Sequence, residues 1–291
     1  MKRPNFFIVG APKAGTTSLY HYLTGHPEVF LSTPKEVNYF SAEEIEAQGL
    51  YYDDVRIGEL QTYLELFSEA RDEIAVGEAS VSYLYYPKTP EKLHAFAPDA
   101  RIVILLRDPI ERGFSHYLMD HRLGLVNLEY AEVVRRSGSH PNLELYYQQY
   151  VSLGFYYEQV KRYLDLFGAG QVRIYLSEEL KHDTQGVIRD LYAFLGVTAD
   201  YEPDTTALHN AYTAPRNTLI KKLYAIHGLR KALASLVPDA LKAGIQNLLF
   251  RKSRKPELDP KLRGELAELY RGDVAKLARL IGRDLSGWCR T

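Results

Sequence analysis

A single cysteine, Cys289, rules out any disulfide within this chain of 291 residues. The staples of small secreted folds are therefore missing, which fits a reducing compartment. A surplus of one charge sign is missing too: 36 Lys and Arg against 37 Asp and Glu leave a formal net charge of −1. No global field then draws the chain to nucleic acid or to a membrane, and an anionic ligand must be met by a local patch. Long apolar runs are absent. The stretch Phe6 to Val9 is cut by Pro12 and Lys13 before it reaches the length of a signal-peptide core, and no later stretch is long enough to span a bilayer. Repeats, low-complexity tracts and a clear linker are lacking as well. These absences predict a soluble, cytoplasmic chain without nucleic-acid or membrane partners, forming one domain over residues 1–291. They leave its oligomeric state open.

What is present is 46% hydrophobic and 25% charged, enough to build one large α/β core. Phe6-Phe7-Ile8-Val9 is a continuous apolar run ended by Gly10, the pattern of a parallel strand covered on both faces. Gly15 opens a segment with Leu19, Tyr22 and Leu23 at helical spacing, stopped at His26-Pro27. The unit repeats later. Arg101 to Leu106 reads as a strand, Asp108 as an N-cap and Pro109 as the first residue of a helix striped by Ile110, Phe114, Tyr117 and Leu118. Ala75 to Ser80 and Val172 to Leu176 read as further strands. Tyr156 to Phe167, Gly186 to Leu195, Lys221 to Val237 and Pro260 to Ile281 read as helices, the last anchored by Leu262, Leu266, Leu269 and Leu277. Strands alternating with helices predict a parallel β-sheet flanked by helices.

The loop Gly10-Ala11-Pro12-Lys13-Ala14-Gly15-Thr16-Thr17 joins the first strand to the first helix. Backbone N–H groups at a helix start, with small residues allowing close approach, suit a phosphate. The loop is not that of a P-loop NTPase, G-x-x-x-x-G-K-[ST]. Thr16 takes the lysine position, the lysine lies at Lys13, and Arg107 rather than an acid follows the Arg101–Leu106 strand. The Mg²⁺-bridging logic of ATP hydrolysis is therefore missing, while a hydroxyl-lined, singly cationic site for one 5′-phosphate remains.

Pro12 to Leu19 resembles the 5′-phosphosulfate loop of the sulfotransferases that use 3′-phosphoadenosine 5′-phosphosulfate (PAPS). It is most similar to the heparan sulfate branch and its bacterial relatives. The resemblance implies a single P-loop-kinase-like α/β domain, PAPS as co-substrate, adenosine 3′,5′-bisphosphate as product, and no metal. Lys13, Ala14, Gly15, Thr16, Thr17 and Ser18 would hold the 5′ end, with Lys13 also offsetting charge on the leaving oxygen. Arg107-Asp108-Pro109 through Ser115-His116-Tyr117 is similar to the family's 3′-phosphate motif, which assigns Arg107 and Ser115 to that phosphate. The basic run Arg251 to Lys255 resembles the family's closing loop and implies donor contacts at Lys252, Ser253 and Arg254. Pro34-Lys35-Glu36 is similar to the segment that carries the heparan-type base, which transfers that role to Glu36 and acceptor contact to Lys35. Other branches use histidine, so His21, His26, His116 and His121 are alternative bases, His116 first among them; as an ordinary residue it would be a helix-surface histidine. The heparan enzymes carry a lysine where this chain has Ala79, which weakens the inference of an anionic glycosaminoglycan acceptor from the resemblance. The acceptor, a small molecule or a glycan bearing a hydroxyl or amine, is not identified by the sequence. A nucleotide kinase and a non-catalytic nucleotide-binding protein are the competing readings.

Overall fold

The computed structural model describes residues 2–52, 56–137, 139–204 and 255–290, with backbone alone at 213–215 and 250–252. Five strands form one sheet: β1 (Phe6–Gly10), β2 (Val29–Leu31), β3 (Ala75–Ala79), β4 (Arg101–Leu106) and β5 (Val172–Leu176). Their order is β2-β3-β1-β4-β5 and every pair is parallel. Phe7 stands opposite Glu78 on one side of the sheet's centre, and Ile8 opposite Val103 on the other. Strands β1 and β3 are buried at every residue, and β4 everywhere but Arg101. This is why they read as uninterrupted apolar runs rather than alternating ones.

Helices α1 (Thr16–Thr24), α2 (Ala42–Gln48), α3 (Leu60–Glu65), α4 (Thr89–Phe96), α5 (Pro109–Leu123), α6 (Tyr130–Val134) and α7 (Leu143–Tyr150) precede β5 or link its neighbours. They are followed by α8 (Tyr156–Phe167), α9 (Ser177–His182), α10 (Thr184–Leu195) and α11 (Pro260–Ile281). A two-stranded antiparallel ribbon pairs β6 (Thr213–Pro215) with β7 (Phe250–Lys252). Asp108 caps α5 as its composition predicts, accepting from the N–H of Ile110 at 2.8 Å and of Glu111 at 3.3 Å. Asp259 caps α11 by accepting from Leu262 N–H at 2.9 Å. Of the four leucines expected to anchor α11, Leu262, Leu266 and Leu277 are buried, but Leu269 is 41% exposed, one step off the packed stripe. The helix expected at Lys221 to Val237 lies outside the described residues. No helix among the described residues is long and apolar enough to cross a membrane.

From β1 the chain moves out to β2 and returns through β3, then continues on the other side of β1 with β4 and β5. The carboxyl ends of β1 and β4 therefore face the point where the connections diverge, the place in an open parallel sheet where a crevice forms. The loops after those two strands carry the residues singled out above.

Candidate active site

The loop after β1 bends sharply into α1. Gly15, at φ +113°, occupies a backbone region that L-residues rarely adopt, and a Cβ there would stand 3.3 Å from Leu105 Cδ2. Lys13 sits at φ +65°, a left-handed conformation that costs a non-glycine residue about 1–2 kcal/mol. Two ties hold it there: Ala11 N–H donates to Leu105 O at 2.6 Å, and Arg107 Nη1 donates to the Lys13 carbonyl at 3.0 Å. The result is a lysine aimed into a crevice at the start of a helix.

The nearest partner of Lys13 Nζ is the Met119 thioether, at 3.2 Å. Burial pushes this ammonium below the ordinary lysine range; Asp120 opposes that shift, and the Arg122 and Arg107 cations add to it. A thioether is a weak acceptor, and the Asp120 and Glu36 carboxylates offset the burial of this cation only in part, so the site suits a further anionic group.

Helix α5 forms one wall. Ser115, Leu118, Met119 and Arg122 recur at helical spacing and line the cleft, with His116 and Asp120 beside them. His116 is buried, not a surface histidine. Burial, with the Arg112 and Lys13 charges adding, holds its imidazole well below the ordinary range and hence neutral. Of the four candidate histidines, only His116 lines the cleft. His26 instead bonds the Thr198 carbonyl at 2.8 Å and accepts from Glu28 N–H at 3.0 Å. Asp120 is 2% exposed and accepts from Tyr51 OH at 2.7 Å and Tyr150 OH at 2.9 Å. Burial raises its carboxyl above the usual range while those hydroxyls pull it back. Arg112, fully buried, donates Nη2 to the carbonyls of Gln149 and Tyr150 at 3.0 and 2.8 Å. It thereby closes the carboxyl end of α7 against α5, a contact made possible by Gly113, where a Cβ would lie 2.1 Å from Tyr150 O.

Glu36 enters from the opposite side. Its backbone, at φ +63°, is fixed by Glu36 N–H to Ala79 O at 2.9 Å and by Asn38 Nδ2 to Glu36 O at 3.0 Å. Its carboxylate is bonded by Lys35. Glu36 lines the cleft; Lys35 does not, reaching Glu36 instead of open space.

The cleft that joins these groups has a volume of about 940 Å³, within the range of sites for nucleotide-sized ligands. It gathers Lys13, Ala14, Gly15, Thr16, Thr17, Ser18, Glu36, Arg107, Ser115 and His116 from the residues expected on sequence. Lys252 is described by backbone only, and Ser253 and Arg254 lie outside the described residues. The basic run reaches the cleft through Lys255, whose Nζ lies 2.9 Å from Glu111 Oε2. Glu111 also meets Arg263 at 2.5 Å and Arg107 at 3.6 Å. Burial would raise this carboxyl, but hydrogen bonds from Arg263 and Lys255 outweigh it and hold it at about 2. Glu111 thus organises three cations beside the loop. The sequence reading assigns no individual role to Glu111, Asp120 or Lys255, although Glu111 and Asp120 on α5 follow Arg107 and His116 by four residues, a spacing that could have flagged them. A second groove, of about 730 Å³ between α11 and the segment 283–290, contains none of these groups.

Comparison with known proteins bears on this cleft. The family model described as Sulfotransferase domain matches residues 3–232. A crystal structure of a sulfotransferase from Alicyclobacillus acidocaldarius is 36% identical, with a TM-score of 0.74 over 100% of both chains. The bifunctional heparan sulfate N-deacetylase/N-sulfotransferase 4 of Mus musculus is 24% identical over 99% of this chain and 31% of its own length. Carbohydrate sulfotransferase 15 of Homo sapiens is 34% identical over 40% of this chain and 27% of its own. The chain thus spans less than a third of the length of these curated relatives.

Proposed function

The chain belongs to the sulfotransferase domain family, and from that premise we propose that it moves a sulfuryl group from PAPS to the hydroxyl or amine of a small-molecule or glycan acceptor. The observation that carries the donor assignment is Lys13: a part-buried ammonium on a glycine turn at a helix start, whose hydrogen-bond partner among the described residues is the Met119 thioether. A 5′-phosphosulfate supplies an anion for it and, when bound, an activated sulfuryl group. The N–H groups of Gly15, Thr16 and Thr17 serve its phosphate, and Lys13 offsets the charge that grows on the bridging oxygen. Arg107 and Ser115 serve the 3′-phosphate, with Lys255 beside them. Glu36, across the cleft from α5, takes the acceptor proton, and Lys35 keeps that carboxylate in place. The neutral, buried His116 is the second candidate for this role.

Two measurements test the reading. Calorimetric titration should show adenosine 3′,5′-bisphosphate binding without Mg²⁺ and more tightly than ATP. Loss of one charge-assisted contact in Arg107→Ala should weaken that binding roughly 10- to 100-fold. Preference for ATP with Mg²⁺ would instead establish a kinase. In turnover assays, Glu36→Gln should lower kcat about 10²- to 10⁴-fold with nucleotide affinity unchanged. Near-normal turnover in that variant, with loss in His116→Gln, would move the base to His116.

A further inference from the structure

The acceptor side of the cleft has its own composition. Beyond Glu36 and Lys13 it is walled by the end of α2, residues 49–52, the turn at Val81–Leu84 with Tyr85 and Tyr86, the second half of α5, and α7. The groups it presents are chiefly Ile45, Leu50, Tyr52, Val81, Tyr85 and Leu125.

Its polar side chains are largely committed to one another. Tyr86 OH donates to Gln48 Oε1 at 2.7 Å, Gln148 Nε2 donates to the same oxygen at 3.0 Å, and Gln48 Nε2 returns a bond to Gln148 Oε1. Ser82 Oγ donates to Asn38 Oδ1 at 2.6 Å, while Asn38 Nδ2 serves the Glu36 carbonyl. Asp120 is held by Tyr51 and Tyr150. Tyr52 and Arg122 are engaged within the protein as well. A sugar ring brings several hydroxyls that lose water on entry, and each one left without a partner costs about 1–3 kcal/mol.

The charges on this side also balance. Among the described lining residues, Lys13 and Arg122 stand against Glu36 and Asp120, and Lys35 is already paired with Glu36. Ala79, fully buried, adds no cation where the sequence resemblance places a lysine. Recognition of a polyanion calls for a row of uncommitted cations, which this wall does not offer.

We infer that the acceptor is a small uncharged phenol or alcohol with an apolar body, an inference that rests on the sulfotransfer reading above. The apolar body lies against Tyr85, Val81 and Ile45, with its hydroxyl between Glu36 and Lys13. In the transfer, the acceptor oxygen forms the new O–S bond as the bond from sulfur to the bridging phosphate oxygen breaks. The electron pair leaves with adenosine 3′,5′-bisphosphate, and the acceptor proton passes to the Glu36 carboxylate.

The test compares transfer of labelled sulfuryl from PAPS to 2-naphthol, 1-octanol, chitotriose and N-desulfated heparin. The better of 2-naphthol and 1-octanol should exceed both carbohydrates by about tenfold or more in kcat/KM, and its KM should change little between low and high salt. Tyr85→Ala should raise KM for that acceptor about fivefold or more while leaving adenosine 3′,5′-bisphosphate affinity intact. Equal or better use of either carbohydrate overturns the inference. So does failure to sulfate either 2-naphthol or 1-octanol by protein that binds adenosine 3′,5′-bisphosphate normally. Absence of that nucleotide binding would instead remove the donor reading, and this inference with it.

Discussion

Lys13→Ala is expected to lower kcat on the order of a thousandfold while leaving the fold at least as stable as before. The two halves of this expectation come from the same contact. The ammonium is part-buried against the Met119 thioether, and burial disfavours its charge. Removing it takes away a desolvated cation that Asp120 and Glu36 offset only in part, so the melting temperature should hold or rise. Once a phosphosulfate is in place, the same cation faces the oxygen on which charge accumulates, inside a cleft where water screens little. Activity and stability should therefore move in opposite directions. A Tm scan beside a single-turnover assay reads both, and a variant that loses both together would mark Lys13 as a structural residue of the loop.

The second large effect lies under the sheet. Glu78 on β3 is 1% exposed and faces the tyrosine cluster of Tyr63 and Tyr83. Burial pushes its carboxyl up to about 8, with the Tyr83 hydroxyl acting weakly the other way. The folded state thus keeps a proton that the unfolded chain releases near 4.5. The contribution of Glu78 to stability should be fully present below pH 4.5, fall as pH rises through the window to 8, and level off above it. Across that window the loss is on the order of 5 kcal/mol, a large part of what a domain has. Glu78→Gln, which cannot ionise, should flatten this slope. Urea midpoints at pH 5, 6.5 and 8 for the two proteins give the comparison, and parallel slopes would show that Glu78 is charged in the folded state.

Glu78 also shows where sequence reading stops. The run Ala75 to Ser80 was legible as a buried strand, but nothing in its spacing says that its one acid carries a proton; that follows from its near-complete burial in the assembled fold, which the Tyr83 hydroxyl only partly opposes. Where local chemistry decides, the reading succeeds. Continuous apolar runs gave β1 and β4, and the Asp108-Pro109 pair marked the start of α5, because caps and buried strands are written in adjacent residues. Val29–Leu31 is too short to show a period, and α2, α3 and α6 are short helices that bury only one or two residues each, too few to show a stripe. The same division runs through the cleft. Lys13, Glu36, Arg107 and Ser115 stand in recognisable strings, and the structure brings them to one crevice. Asp120 acquires its setting from Tyr51 and Tyr150, each contributed by another element, and Lys255 from Glu111, so local spacing alone does not give them their roles.

The bond from Arg107 to the Lys13 carbonyl reaches further than its 3.0 Å. It joins the two loops expected to grip opposite ends of a nucleotide, and the neighbouring link from Ala11 to Leu105 fixes them at a second point. Neither loop can shift to suit a longer or shorter molecule without dragging the other. Selectivity among nucleotides then becomes a matter of length: the loops act as the jaws of one caliper, its opening set before any ligand arrives.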